Sequence, residues 1–171
     1  MIRRILIGTF CAIVLALSAL AHASLWSVSA QLNGSNQVPP NLTSGTGSLA
    51  GVFDDTTNTL SATLTYQGLT GPITASHLHI APVGVNGPVI VTIGALPSPI
   101  AFTSVLAAPD AAALLSGGLY ANVHTATFPG GEIRGQLAAA PPAPIPALSP
   151  AVLALLTLLV ISVVAWQRRR R

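Results

Sequence analysis

Three histidines are the residues of this chain with the clearest capacity for chemistry. His77 and His79 are two positions apart in a predicted β-strand, so their side chains leave the same face of the strand roughly 6.6 Å apart. His124 lies in another predicted strand, and a third imidazole from a neighbouring strand would complete a trigonal or tetrahedral site for Cu or Zn. The alternative is structural, because imidazoles also join loops by hydrogen bonding to buried carbonyl groups.

A second group of chemically capable side chains lies between residues 119 and 137. The pattern there predicts two short strands joined by a Pro-Gly-Gly turn, and Tyr120 and Asn122 share one strand face with the third histidine. Glu132 and Arg134 also share a face, because they are two positions apart in the second strand. A salt bridge or a paired network at a sheet edge is the simpler interpretation of these two charges, and recognition of a ligand is the alternative.

The chain is poor in charge, which limits the classes of function. Charged residues make up 6% of the 171 residues, against roughly 25% in an average soluble protein. Histidines aside, Arg134 is the only basic residue between Ser24 and Trp166, and with four acids this part of the chain carries a net charge of −3. A nucleic-acid partner needs a basic face on the folded domain, so that partner is excluded. No Ser/His/Asp motif and no glycine-rich phosphate loop is present, so we expect a protein that is not an enzyme.

Short alternating segments with turn residues between them dominate the middle of the chain. The clearest is the segment 59–66, where Leu60, Ala62 and Leu64 alternate with serine and threonine. One short helix is predicted over 109–115, with a proline near its start and an acid in its first turn. About eight strands with so little helix predict an all-β fold, an antiparallel Greek-key-like β-sandwich or barrel. The predicted strands cover residues 26–32, 46–53, 59–66, 73–80, 89–93, 100–105, 119–125 and 131–137.

The N-terminal segment has a different composition from this middle part. Residues 1–23 contain the charged, apolar and small-residue regions of a secretory signal peptide, with cleavage predicted between Ala23 and Ser24. Cys11 is the single cysteine of the chain and lies in this segment. The exported protein would therefore be free of disulfides, and its core would hold by packing alone.

The C-terminal part predicts a membrane attachment. The β domain is assigned to residues 24–137, and a Pro/Ala linker follows at 138–147. Residues 148–166 are 19 residues without a charge and predict a transmembrane helix, which leaves 167–171 as a basic cytoplasmic tail. These features predict an exported protein that is anchored in the inner membrane of a Gram-negative bacterium and faces the periplasm.

Three segments of the domain closely resemble the CHRD (chordin-type) domain. They are Asn-Gln-Val-Pro-Pro at 36–40, the segment 75–91 with its two histidines, and the segment 118–137 with the third. The resemblance covers about residues 26–137, in order and with natural spacing. It implies a β-sandwich-like extracellular module of the kind first described in a secreted antagonist of growth factors. Bacterial members of that family are exported proteins, mostly without an assigned activity.

The C-terminal tail resembles an IPTL-CTERM sorting signal, a relative of the PEP-CTERM tails. The motif residues are Ile145, Pro146, Leu148 and Ser149, with Ala147 where the pattern has threonine, and an apolar segment and arginines follow. The resemblance implies processing by an exosortase-type enzyme and sorting to the cell surface or extracellular matrix.

Two functions from different classes are consistent with these patterns. The first is a non-enzymatic, surface-directed binding or structural module without a cofactor, whose ligand is an unidentified extracellular protein or polymer. The second is a periplasmic protein that binds Cu or Zn through the three histidines. Metal analysis of the purified protein separates the two.

Overall fold

The computed structural model describes residues 25–143 and 149–170. All eight predicted strands and the predicted short helix are present, and one further short strand follows them. A single turn of 3-10 helix, Gly34–Asn36, comes after the first strand. The strands are β1 (Leu25–Asn33), β2 (Thr46–Asp54), β3 (Thr59–Gln67), β4 (Ile73–Ile80), β5 (Val89–Thr92), β6 (Ile100–Val105), β7 (Leu119–Thr125), β8 (Ile133–Gln136) and β9 (Ala138–Ala140), and the helices are α1 (Ala108–Leu115) and α2 (Pro150–Arg169).

The strands form one antiparallel sheet that curls into a near-barrel. Their order is β5-β4-β7-β8-β1-β2-β3-β6, and β9 also pairs with β1. In the part β8-β1-β2-β3, a strand from late in the chain lies beside the first of three successive strands. Side chains from both halves of this order meet in one buried cluster, so the sheet closes around a single core. The prediction of an antiparallel all-β fold is confirmed.

The core is built by alternation along the strands, as β3 shows. Leu60 and Leu64 are fully buried and Ala62 is nearly so, whereas the residues between them are half-buried or exposed. Burying one leucine side chain stabilises the fold by about 1.5–3 kcal/mol. The core consists of Val28, Ala30, Leu32, Leu49, Phe53, Leu60, Ala62, Leu64, Leu78, Ile100, Leu106, Ala111, Leu114, Leu119, Ala121, Val123, Ile133 and Leu137.

Strand β7 departs from this alternation because both of its faces are covered. Its inward side chains pack in the core, but Tyr120 and Asn122 on the other face are also only 2% and 4% exposed. Two segments cover that outer face, residues 34–45 (the first loop) and residues 81–88 (the second loop). The fold therefore has a second buried layer, which is made of polar side chains.

The segment predicted as a linker at 138–147 begins with a strand. Ala138–Ala140 form β9 and pair with residues 27–29 of β1. Strand β8 is paired with β1 only at Asn33, so the backbone groups along the first half of that edge of β1 need another partner. The sequence interpretation missed this strand because three alanines beside a proline-rich stretch carry no strand signal.

Helix α2 occupies most of the segment predicted to span a membrane. It begins at Pro150, is capped by Ser149 through a hydrogen bond from Val152 N at 3.4 Å, and has Arg168 and Arg169 in its last turn. Among residues 25–143 and 149–170, no helix combines the length and the apolarity needed to cross a membrane. The predicted transmembrane helix at 148–166 is therefore not supported.

Several predictions about the chain ends fall on residues that the structure does not describe. The signal peptide at 1–23 and the cleavage site at Ala23 and Ser24 lie outside the described residues. The same holds for Ile145, Pro146 and Leu148 of the sorting motif.

Candidate functional site in the polar layer

The register of β4, β7 and β8 brings the chemically capable side chains onto one face. His77 is paired with Asn122, His79 with Tyr120, and Asn122 with Arg134. Directly opposed residues of antiparallel strands point to the same face, so these side chains lie together beneath the two loops. We call this set the polar layer: His77, His79, Tyr120, Asn122, His124 and Arg134.

The three histidines of the polar layer form a compact cluster. His77 Nδ1 lies 3.3 Å from His124 Nε2. One ring nitrogen from each histidine lies within 4.8 Å of the other two. His79 is only 8% exposed, whereas His77 and His124 are half-buried. The structure thus brings together the three residues that strand alternation singled out.

Backbone carbonyls fix the protonated nitrogen of two of these rings. His79 Nδ1 lies 2.9 Å from Gly87 O, and His124 Nδ1 lies 2.9 Å from Pro129 O. A carbonyl oxygen only accepts, so each Nδ1 carries the proton and each neutral ring has a bare Nε2. Among the described residues, His79 Nε2 is a buried side-chain nitrogen without a hydrogen-bond partner.

Burial keeps two of the imidazoles in the neutral form. Removal from water lowers the pKa of His77 below 6.5, and the neighbouring His124 and His79 lower it further. Burial also lowers the pKa of His79, although the hydrogen bond to Gly87 acts in the opposite direction. At neutral pH both rings therefore offer lone pairs rather than positive charge.

Tyr120 lies between His79 and Arg134 in the polar layer. The His79 ring stacks on it with centroids 4.7 Å apart and planes inclined by 6°. Arg134 Cζ lies 3.5 Å from the centroid of the tyrosine ring. A cation over an aromatic face is stabilised by about 0.5–2 kcal/mol. The hydroxyl group accepts a hydrogen bond of 3.1 Å from Gly87 N, so Tyr120 also holds the second loop.

Arg134 is bound by the second loop and not by Glu132. Its Nη2 donates to Val85 O at 2.8 Å, and its Nη1 donates to Asn86 Oδ1 at 3.1 Å. The side chain is 2% exposed, and no hydrogen bond or ion pair joins it to Glu132. The salt-bridge interpretation was wrong because Glu132 precedes β8, so strand alternation does not put the two charges on one face.

Glu132 has a separate set of partners, which are threonines of three segments. Its carboxylate accepts from Thr43 Oγ1 at 2.6 Å, from Thr125 Oγ1 at 2.6 Å, and from Thr70 N and Oγ1, both at 2.8 Å. The residue is fully buried. Burial acts to raise the pKa of Glu132, but the hydrogen bonds from Thr125, Thr43 and Thr70 together outweigh it and hold the pKa below 4.5. The carboxylate is therefore an ionised acceptor that ties three segments together.

Side-chain amides fasten the loops to the polar layer, and sequence reasoning assigned them no role. Gln37 Nε2 donates to Asn122 Oδ1 at 2.7 Å, and Asn36 Nδ2 donates to Arg134 O at 3.1 Å. Asn86 Nδ2 donates to Val38 O at 2.8 Å, which joins the second loop to the first. The available signals were the family-like segments 36–40 and 75–91 that contain these amides, and they indicated a family position but no contact.

An open cleft of about 450 Å³ lies between the two loops. Gln37, Val38 and Pro40 of the first loop line one side, and Val83 of the second loop is 76% exposed beside them. Arg134 also lines the cleft, so a buried positive charge lies close to an apolar rim. Such a combination of a few polar groups with apolar side chains is typical of a binding site.

The fold and site define an all-β module whose two loops are held over a polar layer by hydrogen bonds. A model of the CHRD domain family matches residues 28–137, more than half of the chain, so this protein belongs to the CHRD domain family. No curated protein and no solved structure matches the chain.

Proposed function

We propose that this protein is a non-catalytic binding module that acts outside the cytoplasm and contacts its ligand through the cleft between the two loops. CHRD domains are typically extracellular or secreted, which supports the location. The ligand in this proposal is a protein or a polymer of the cell envelope or its surroundings.

The observation that supports this proposal is that each of the two buried charges holds loop segments in place. Glu132 joins threonines of three segments, and Arg134 holds the second loop through Val85 and Asn86. Both charges therefore set the shape of the loops. A surface whose shape is fixed before binding loses less conformational entropy when the ligand arrives, which favours affinity.

The lining of the cleft supports this role. Arg134 supplies a positive charge, and Gln37 and Gln136 supply amide groups beside apolar side chains. Pro40 and Val83 are exposed at its rim, where their apolar surface gains from being covered. Rim residues of this kind contribute to affinity when a partner excludes water from them.

The location is tested with a reporter enzyme that is active only outside the cytoplasm, fused after Ala140. We expect activity when residues 1–23 precede the domain and none when residues 2–23 are deleted. Equal activity of a cytoplasmic reporter in the same fusion would refute the proposed location.

The binding surface is tested by sedimentation of the purified full-length protein with envelope material of the cells that produce it. We expect retention by the parent and a loss of at least tenfold in Val83→Ser. Val105→Ser is the matched control, because Val105 is 72% exposed but lies on β6. Equal retention of the parent and both variants would show that the cleft is not the binding surface.

A further inference from the structure

The histidine cluster contains an unpaired buried acceptor that the proposed binding module does not use. His79 is 8% exposed, and its Nε2 has no hydrogen-bond partner among the described residues. A buried polar group left unpaired destabilises the folded protein, because it has lost its hydrogen bonds to water. Native structures rarely carry this cost without a role for the group, so a ligand for the nitrogen is the natural explanation.

The hydrogen bonds around the cluster prepare its nitrogens for a metal ion. The Nδ1–H groups of His79 and His124 are each held by a backbone carbonyl, of Gly87 and Pro129. This outer contact is the one that metal-binding histidines make, because it orients the ring and leaves the other nitrogen bare. The Nε2 of His79 is therefore unpaired, and the Nε2 of His124 accepts a hydrogen bond from His77 Nδ1, whose proton would move to His77 Nε2 when an ion binds.

The spacing of the nitrogens is close to that of a coordination sphere. Zinc–imidazole bonds of about 2.0 Å in a tetrahedral arrangement place two ligand nitrogens about 3.3 Å apart. His77 Nδ1 and His124 Nε2 are separated by 3.3 Å. No spacing in the set exceeds 4.8 Å, so a small inward rotation of the third ring would close the site.

We propose that His77 through Nδ1 and His79 and His124 through Nε2 bind one divalent late transition-metal ion, Zn²⁺ or Cu²⁺, with a fourth position open to water or another ligand. Imidazole is a ligand that suits both ions, and the set contains no carboxylate that would favour Mg²⁺ or Ca²⁺. Cu²⁺ binds more tightly than Zn²⁺, as the order of divalent metals requires.

The surroundings of the cluster are compatible with an added positive charge. Arg134 is the one arginine or lysine of the described residues 25–143, and Tyr120 contacts both it and His79. Strand β7, which carries Tyr120, lies between β4 with His77 and His79 and β8 with Arg134. His77 and His124 are half-buried, so an ion has access to the cluster from solvent.

The test is calorimetric titration of tag-free, metal-stripped full-length protein with ZnCl₂ and with CuSO₄. We expect one ion per chain and a melting temperature that rises with metal concentration, because the ion binds only the folded cluster. His77→Ala removes one ligand without removing a carbonyl contact, and we expect an affinity at least tenfold lower. His79→Phe keeps a ring to stack on Tyr120 but removes the unpaired nitrogen, and we expect a similar loss.

Co²⁺ provides a second readout that does not depend on stability. Co²⁺ in a tetrahedral nitrogen site gives intense visible absorption, and this band should appear in the parent and be absent in both variants. Thr103→Ala, on β6, is the control and should bind as the parent does. No saturable binding of either ion, or unchanged affinity in His77→Ala and His79→Phe, would overturn the proposal and leave the cleft function untouched.

Discussion

Glu132 and Arg134 are two positions apart, yet the molecule buries their opposite charges in two unconnected ways. The carboxylate is surrounded by four donors, three hydroxyl groups and one backbone N–H. The guanidinium group lies on the face of Tyr120 and donates to acceptors of the second loop. Neither charge is neutralised by the other.

The difference between the two sites shows which interactions a charge-poor chain uses to bury an ion. An ion pair would have neutralised both charges, but it would have connected only the two side chains that form it. Separate sites allow Glu132 to connect segments at Thr43, Thr70 and Thr125, while Arg134 fixes the second loop. The same two charges therefore organise more of the chain than a salt bridge would.

The largest effect is expected at the carboxylate. Glu132→Leu removes the buried acceptor of four hydrogen bonds, including the one from the buried Thr125, and should cost about 3–5 kcal/mol of unfolding free energy, measured by denaturant titration. Glu132→Gln is the control, because its carbonyl oxygen still accepts from Thr70 N and the hydroxyl groups can reorient. It should cost about 1–3 kcal/mol. Two equally mild variants would mean that the threonine site contributes little to stability.

A somewhat smaller effect is expected at the guanidinium group. Arg134→Met removes the donors to Val85 and Asn86 and the contact with Tyr120, and it should cost about 2–4 kcal/mol in the same measurement. Arg134→Lys keeps the charge but not the planar fork, so it should cost about 1–2 kcal/mol. If Arg134→Met were as stable as the parent, the hydrogen bonds of Arg134 to Val85 and Asn86 would contribute nothing to stability.

The acid dependence of stability distinguishes the two sites further. The pKa of Glu132 is lowered in the folded protein, so its contribution is complete above pH 4.5 and is lost as the pH falls below that value. Thr125→Val removes one hydrogen bond from the carboxylate, which should raise its pKa and cost about 1–2 kcal/mol at neutral pH. The parent should therefore lose more stability than this variant between pH 5 and pH 3. The measurement is thermal unfolding followed by circular dichroism at each pH. Parallel losses would exclude Glu132 as the titrating group.

The smallest effect is the coupling between the two charges. Because they share no partner, the free-energy changes of Glu132→Gln and Arg134→Met should add within about 0.5 kcal/mol in a double-mutant cycle. A coupling well above 1 kcal/mol would show that the two sites act as one ion pair.

The fold was largely predictable because alternation along the strands is a local signal. Leu60, Ala62 and Leu64 follow the pleat, and the short helix at 108–115 has its proline and acid at the expected end. Strand β9 was not predicted, because it forms by pairing with the part of β1 that β8 leaves without a partner. No local sequence pattern indicates that pairing.

The site was predictable only in part, for the same physical reason. Alternation placed the three histidines and Tyr120 correctly, since these residues lie within strands. Glu132 lies just outside β8, after Gly131 with φ of 125°, so its partners depend on the turn rather than on spacing. Thr43 and Thr70 donate to Glu132 although they are distant from it in the sequence. No pattern near either threonine predicts that contact.

The pairing of β9 with β1 has a mechanical consequence. Ser27 near the start of the domain is paired with Ala140 near its end, so the two strands leave the near-barrel side by side. A pulling force applied between these ends would load the hydrogen bonds of β9 one after another rather than all at once. Strand β9 would then separate from β1 at low force, before the core bears tension. Its separation would lengthen the extended segment that follows the domain.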